Sequence, residues 1–173
     1  MFFYSLSYDK NGGISDIDAI LNITKSCALH MIQNNIHQWN EHYPDRDSFI
    51  NDAENQELYV YVINGKVVAC ISLCLHMDEV YLPVKWKTKN DNNLYVHRLA
   101  VHPDFQKKGL GKSLMDFAEN YARLKKCVSV RLDTFSKNKR NLKFYESRGY
   151  HRLDGIYFPK QSKFPFYCYE LIL

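Results

Sequence analysis

The sequence predicts an α/β domain built on a mixed β-sheet, and three observations lead there. Two β-branched runs, 58–63 and 67–75, are joined by Asn64-Gly65, a dipeptide suited to a tight hairpin because both turn positions need a positive φ. A strand-like run at 94–101, a helical period at 111–126 and a second strand-like run at 128–134 follow in order; such a unit closes into a right-handed parallel crossover. With 173 residues, 46% hydrophobic and 24% charged, the chain is long enough for one packed core and too short for two ordinary domains. Residues 1–173 therefore read as a single domain.

Each element has a local cause. Residues 1–8 are aromatic-rich and suit a first strand, ended by Asn11, Gly12 and Gly13. Ser15 with Asp18 offers a capping box for a first helix, whose apolar stripe is Ile17, Ile20, Leu21, Thr24, Ala28, Met31 and Ile32. The stretch 34–47 breaks that period and reads as a loop, and 49–57 as a shorter second helix. After the hairpin, 76–93 is long, polar and aromatic, with Pro83 arguing against a central strand, so it reads as an excursion beside the site. The helix at 111–126 places Leu114, Met115, Ala118, Tyr121 and Ala122 on one face. A last helix at 138–147 is stopped by Gly149, and 150–158 and 166–173 read as a closing strand pair.

Composition narrows the functional classes. A net charge of +4 is too small for a dedicated nucleic-acid binder, whose basic residues gather into a stripe, and fits a small anionic ligand. Cys27, Cys70, Cys74, Cys127 and Cys168 are odd in number and scattered without CxxC spacing, so they read as buried thiols in a reducing cytosol. No run approaches the roughly 18 apolar residues of a membrane span, and the start lacks a basic leader, so a cytoplasmic protein without a membrane partner is expected. His30, His37 and His42 are too irregularly spaced to suggest zinc, and no metal is expected.

The densest chemistry lies at Gln106, Lys107, Lys108, Gly109, Leu110, Gly111 and Lys112. A strand ending at Val101, a turn and a helix starting near Gly111 aim unpaired N–H groups and the positive end of the helix at one spot. Glycines at 109 and 111 remove the Cβ atoms that would hold a phosphate away from the backbone, while the lysines add charge. A P-loop is excluded because Gln106 stands where its first glycine belongs, and a dinucleotide fingerprint because Leu114 replaces its third. The remaining pattern is Gln or Arg, two residues, Gly, one residue, then Gly or Ala. "QKKGLG" at 106–111 meets it in full.

On that motif the chain resembles the GNAT superfamily of N-acetyltransferases, whose turn holds the pyrophosphate of acetyl-coenzyme A. The surrounding "LYVHRLAVHPDFQKKGLGKSLMDFAENYA" and the later "NKRNLKFYESRGY" resemble the family's core and its later helix, about a third of the chain together. The resemblance implies a mixed, mostly antiparallel sheet of six or seven strands, splayed at parallel strands four and five, with about four flanking helices. It implies acetyl-CoA as cofactor and acetyl transfer to a primary amine, most simply of a small molecule. A protein or peptide acceptor, or an acyl-CoA sensor without catalysis, are the alternatives.

Residue roles follow from the same resemblance. The backbone of Leu99, Ala100 and Val101 would pair with the pantetheine arm as a strand does. Asn138 and Asn141 would meet the cofactor, although Asn138 would equally cap the helix that starts there. Tyr145 would protonate the departing thiolate, or else pack as a core aromatic beside Phe144. Where many members place a glutamate, this chain reads Tyr95-Val96-His97-Arg98-Leu99; His97, set by strand alternation on one face with Tyr95 and Leu99, is the candidate base. Asp78 and Glu79 compete for the amine. Trp39, Tyr43, Tyr81, Trp86 and Tyr157 fall in segments that flank the acceptor, where aromatics could pack on an amine or serve as core or homodimer contacts.

Overall fold

The structure, a computed structural model, describes residues 10–173; the strand expected at 1–8 lies outside them. The elements are β1 (Lys10–Asn11), α1 (Ile17–Gln33), α2 (Arg46–Glu54), β2 (Leu58–Ile63), β3 (Lys66–Cys74), β4 (Asn93–Val101), α3 (Leu110–Leu124), β5 (Ser129–Phe135), α4 (Lys139–Ser147), β6 (His151–Ile156) and β7 (Phe166–Ile172). They form one sheet in the order β1-β2-β3-β4-β5-β7-β6. Every pairing is antiparallel except β4 with β5. The mixed, mostly antiparallel α/β architecture read from the sequence is therefore the one found.

The two faces of the sheet are covered differently. On one, Ile17, Ile20, Ile23, Cys27 and Phe49 of α1 and α2 pack on Leu58, Val60, Cys70 and Ala100. Further along the same face Tyr81 and Val84 from the 76–93 excursion cover Tyr95, Phe135 and Phe166. On the other face Leu114, Met115, Ala118 and Ala122 of α3 and Tyr145 of α4 bury Ile71, Leu73, Leu94, Val96, Val130 and Leu132. The α3 stripe is as the helical period requires, with Tyr121 half-buried at its margin against Tyr59. Among the described residues no helix is long and apolar enough to cross a membrane.

Three local readings are corrected. The first helix is not capped by Ser15 and Asp18. A short 3-10 turn, Ile14–Asp16, precedes it, and the Gly13 N–H donates to the Asp16 carboxylate at 3.0 Å, while Asp18 pairs with Arg46. Its stripe runs through Ile23 and Cys27 and leaves Ile32 exposed, because the helix turns 100° per residue and the buried arc is centred nearer Ile20. The second helix begins at Arg46, where the Asp45 carboxylate accepts the Ser48 N–H at 2.9 Å.

The third correction bears on the site. Cys70 pairs with Ala100 but Ser72 with His97, so two steps on β3 match three on β4 and one residue of β4 is extra. Arg98 sits at this bulge with φ 51°. Beyond it the alternation of faces reverses. Tyr95 and His97 both stack under the Tyr81 ring, whereas Leu99 and Val101 join Leu94 and Val96 on the α3 side. His97 and Leu99 thus do not share a face.

Candidate active site

The parallel pairing of β4 with β5 lasts only from Asn93–Ser129 to Tyr95–Arg131. Past that point the strands part, and a cavity of about 100 Å³ opens between their C-terminal halves. Its walls include His97 and Leu99 from β4, Asp133 and Thr134 from β5, Asn141 and Tyr145 from α4, and Trp39, Tyr43, Asp78 and Tyr81 from the loops above. Eight of the residues singled out in the sequence meet in this one cleft.

The turn after β4 carries the anion-binding geometry. Gly109 has φ 84° and stands at the N-cap of α3, and Lys107 is also left-handed at 60°. The helix ladder opens with Ser113 N–H donating to the Gly109 carbonyl, so the amides of Leu110, Gly111 and Lys112 precede the first intrahelical bond. A Cβ built on Gly109 or Gly111 would meet nothing within 4 Å, so neighbouring protein atoms do not require glycine at 111. Gln106 braces the turn: its amide nitrogen donates to the Val101 carbonyl at 3.0 Å, and its oxygen accepts from Arg140 at 3.0 Å. Lys108 donates to the Asp104 carbonyl at 2.9 Å and lies over the Phe105 ring; Lys112 pairs with Asp116 at 2.9 Å.

Other candidates take places that sequence left open. Asn138 is the buried N-cap of α4, accepting the Asn141 N–H at 3.2 Å and donating to Gln38 at 2.9 Å. The Asn141 side chain donates to Thr134 at 3.3 Å on the cleft wall. Ala100 is buried against α1, on the face away from α3. Trp86 does not reach the cleft: it stacks on the Arg131 guanidinium, 4.5 Å from ring centre, in a packed cluster with Tyr81 and Tyr95. Glu79 and Tyr157 also lie outside the lining, and Tyr157 is exposed.

Two titratable groups on the cleft walls have opposite tendencies. Burial, with help from the Arg98 and His76 charges, pushes the His97 imidazole down to about 3, so it is neutral throughout the ordinary pH range. Its Nε2 is buried without a hydrogen-bond partner among the described residues, 3.8 Å from the Asp78 carboxylate. Asp133 goes the other way. Burial raises its carboxyl to about 6, against the hydrogen bond donated by the Tyr81 hydroxyl at 2.5 Å, and the nearby Asp78 charge adds to the rise. Asp133 was not among the sequence candidates, because it looks like one more position in an apolar strand; the signal was a lone carboxylate inside a central strand beside the crossover. Burial also raises the Tyr145 phenol well above its usual value, and its ring packs edge-on to Phe144 and Tyr150.

The site is thus a cleft between parted parallel strands, with a glycine turn and a helix N-terminus after one strand and titratable groups on its walls. Residues 17–150 match the Acetyltransferase (GNAT) family, and the chain belongs to that family. Solved structures share the fold. A GNAT-family acetyltransferase from Streptococcus agalactiae is 21% identical, covers 100% of this chain and 99% of its own, and superposes with a TM-score of 0.79. The PaiA N-acetyltransferase of Thermoplasma acidophilum, in complex with coenzyme A, is 14% identical over 99% and 100% of the two chains, with a TM-score of 0.71. The Salmonella typhimurium protein yncA, with its cofactor acetyl-CoA, is 18% identical over 99% and 95%, with a TM-score of 0.70. No curated protein matches the chain in sequence.

Proposed function

We propose that the protein transfers acetyl from acetyl-CoA directly to a primary amine of a small molecule. The observation that carries this reading is the parted β4–β5 edge, which leads from the glycine turn to the buried Asp133 carboxyl, raised by burial to about 6. The chain's own groups fit such a donor. The open space before Gly109 and Gly111 and the first amides of α3 suit a pyrophosphate, and the β5-facing edge of β4 beyond Tyr95, which among the described residues pairs with no strand, is open to amide groups. When bound, acetyl-CoA supplies an activated acyl carbon and a thiol leaving group. The cavity of about 100 Å³, walled by Trp39, Tyr43 and Tyr81, suits a small acceptor rather than a folded protein surface.

The residues then divide the proton work. Asp133 takes the proton that the attacking nitrogen loses as the C–N bond forms, and the Tyr145 hydroxyl supplies one to the sulfur as the C–S bond breaks. The raised Tyr145 pKa keeps the phenol in its donor form. His97, held neutral, forms part of the cleft wall beside Asp78 rather than serving as the proton store. Holding amine and acyl carbon in one narrow cleft supplies the orientation that direct transfer needs.

Asp133 must be ionised to accept a proton, so turnover should rise as pH increases through about 6. Asp133→Asn should lower kcat by about a hundredfold and flatten that limb of the profile. An unchanged profile in the variant would remove Asp133 from the mechanism. Tyr145→Phe should cut kcat by about a hundredfold with acetyl-CoA affinity unaltered; a parental rate would return Tyr145 to a packing role. Acetyl-CoA-dependent thiol release, screened over diamines, amino acids and lysine peptides, tests the reading itself. Turnover confined to peptides would replace the small-molecule acceptor with a protein one.

A further inference from the structure

A second cavity, of about 170 Å³, lies at the end of β3 and is lined in part by Glu57, Cys74, His76, Asp78, His97 and Arg98. The donor atoms of Glu57, Cys74 and His76 all lie within 4.8 Å of one another, with His76 Nδ1 3.4 Å from Glu57 Oε1. The backbone fixes this meeting. The Leu73 N–H donates to the Glu57 carbonyl, and the Glu57 N–H to the Asp52 carbonyl, both at 2.8 Å, which clamps the turn after α2 beside the last residue of β3. His97 makes an independent pointer: its side chain is only 10% exposed, lines this cavity as well as the cleft, and buries an unpartnered Nε2.

We propose that Glu57, Cys74 and His76 bind a divalent cation of the zinc class. Thiolate, imidazole and carboxylate together suit zinc and exclude the hard cations, which prefer all-oxygen sites. Three protein ligands leave a further position open to the cavity, as in exchangeable rather than closed structural sites. The charge balance agrees. Arg98 grips Asp52 with two nitrogens and neutralises it, while among the described residues Glu57 lies 3.4 Å from His76 and Asp78 lies 3.8 Å from the neutral His97. Binding breaks the Cys74 S–H bond, now directed at the His76 carbonyl at 3.4 Å, forms a sulfur–metal bond and releases the proton to buffer. The sequence expectation of no metal weighed His30, His37 and His42; these three donors are brought together only by the fold.

Titration of the full-length protein with Co²⁺, followed by absorbance, tests the site without reference to acetyl transfer. One equivalent should produce a thiolate-to-cobalt charge-transfer band that Zn²⁺ abolishes and Mg²⁺ does not. Cys74→Ser should remove the band and Cys127→Ser should keep it. Should Cys74→Ser fail to fold, Glu57→Gln and the largely exposed His76→Ala decide, each weakening Co²⁺ binding about tenfold or more. Absence of a thiolate band, its persistence in Cys74→Ser, or undiminished affinity in both of the other variants would overturn the proposal.

Discussion

Gly111→Leu should leave the protein folded and lower its affinity for acetyl-CoA by about a hundredfold, ~2.7 kcal/mol. The two effects separate because of where the residue stands. It lies in the first turn of α3, with helical backbone and no neighbour within 4 Å of an added Cβ, so a side chain leaves the backbone there without a clash. As a better helix former than glycine it should even raise the melting temperature slightly, by the equivalent of roughly 0.5–1 kcal/mol. The same side chain would fill the space in front of the free amides and hold a pyrophosphate away from them. Gly109 gives a less clean test, since its φ of 84° would strain any replacement. Thermal melting and calorimetric titration of the one variant would check both halves, and intact affinity in a folded Gly111→Leu would place the donor elsewhere.

Glu170→Gln should destabilise the protein by about 3–5 kcal/mol, because it leaves a buried guanidinium without its counter-charge. Glu170 and Arg131 are both fully buried on neighbouring β7 and β5. The carboxylate accepts from the Lys87 N–H at 2.5 Å, the Thr88 and Ser129 hydroxyls at 2.6 and 2.8 Å, and Arg131 Nε at 3.0 Å. Arg131 in turn donates to Asn90, the Tyr95 hydroxyl and the Thr88 carbonyl, and so anchors the 76–93 excursion that supplies Asp78 and Tyr81 to the cleft. Burial alone would raise the Glu170 carboxyl; the hydrogen bonds from Thr88, Ser129, the Lys87 amide and Arg131 outweigh it and hold the group below its usual 4.5. A depressed carboxylate contributes stability above that unfolded value and loses it as pH falls through the folded one. The wild type should therefore show an acid-dependent fall in denaturant midpoint below about pH 4.5 that is diminished in Glu170→Gln.

What the sequence made legible was set by neighbours along the chain. Asn64 and Gly65 take the positive φ values, 49° and 75°, that their hairpin demands, and the turn at 106–111 places its glycines and helix N-terminus where the motif requires. What it hid depends on contacts between distant strands. The bulge at Arg98 has no local signature, yet it reverses the faces of β4 and separates His97 from Leu99. Asp133 owes its raised carboxyl to burial that only the fold creates, beneath Tyr81, 52 residues away, and beside the parting of β4 and β5. Trp86, an acceptor-side aromatic on its sequence position, is claimed instead by the buried Arg131, whose fully inward orientation no single-strand pattern shows.

Calorimetric titration of the wild-type protein with acetyl-CoA, beside coenzyme A and ATP, tests the central claim most directly. Saturable binding of acetyl-CoA and coenzyme A, with ATP much weaker, is the predicted result, since the parted β4 edge offers amide partners that ATP cannot use. No binding of acetyl-CoA, or a preference for ATP, would contradict the assignment of the β4–β5 cleft as an acetyl-transfer site.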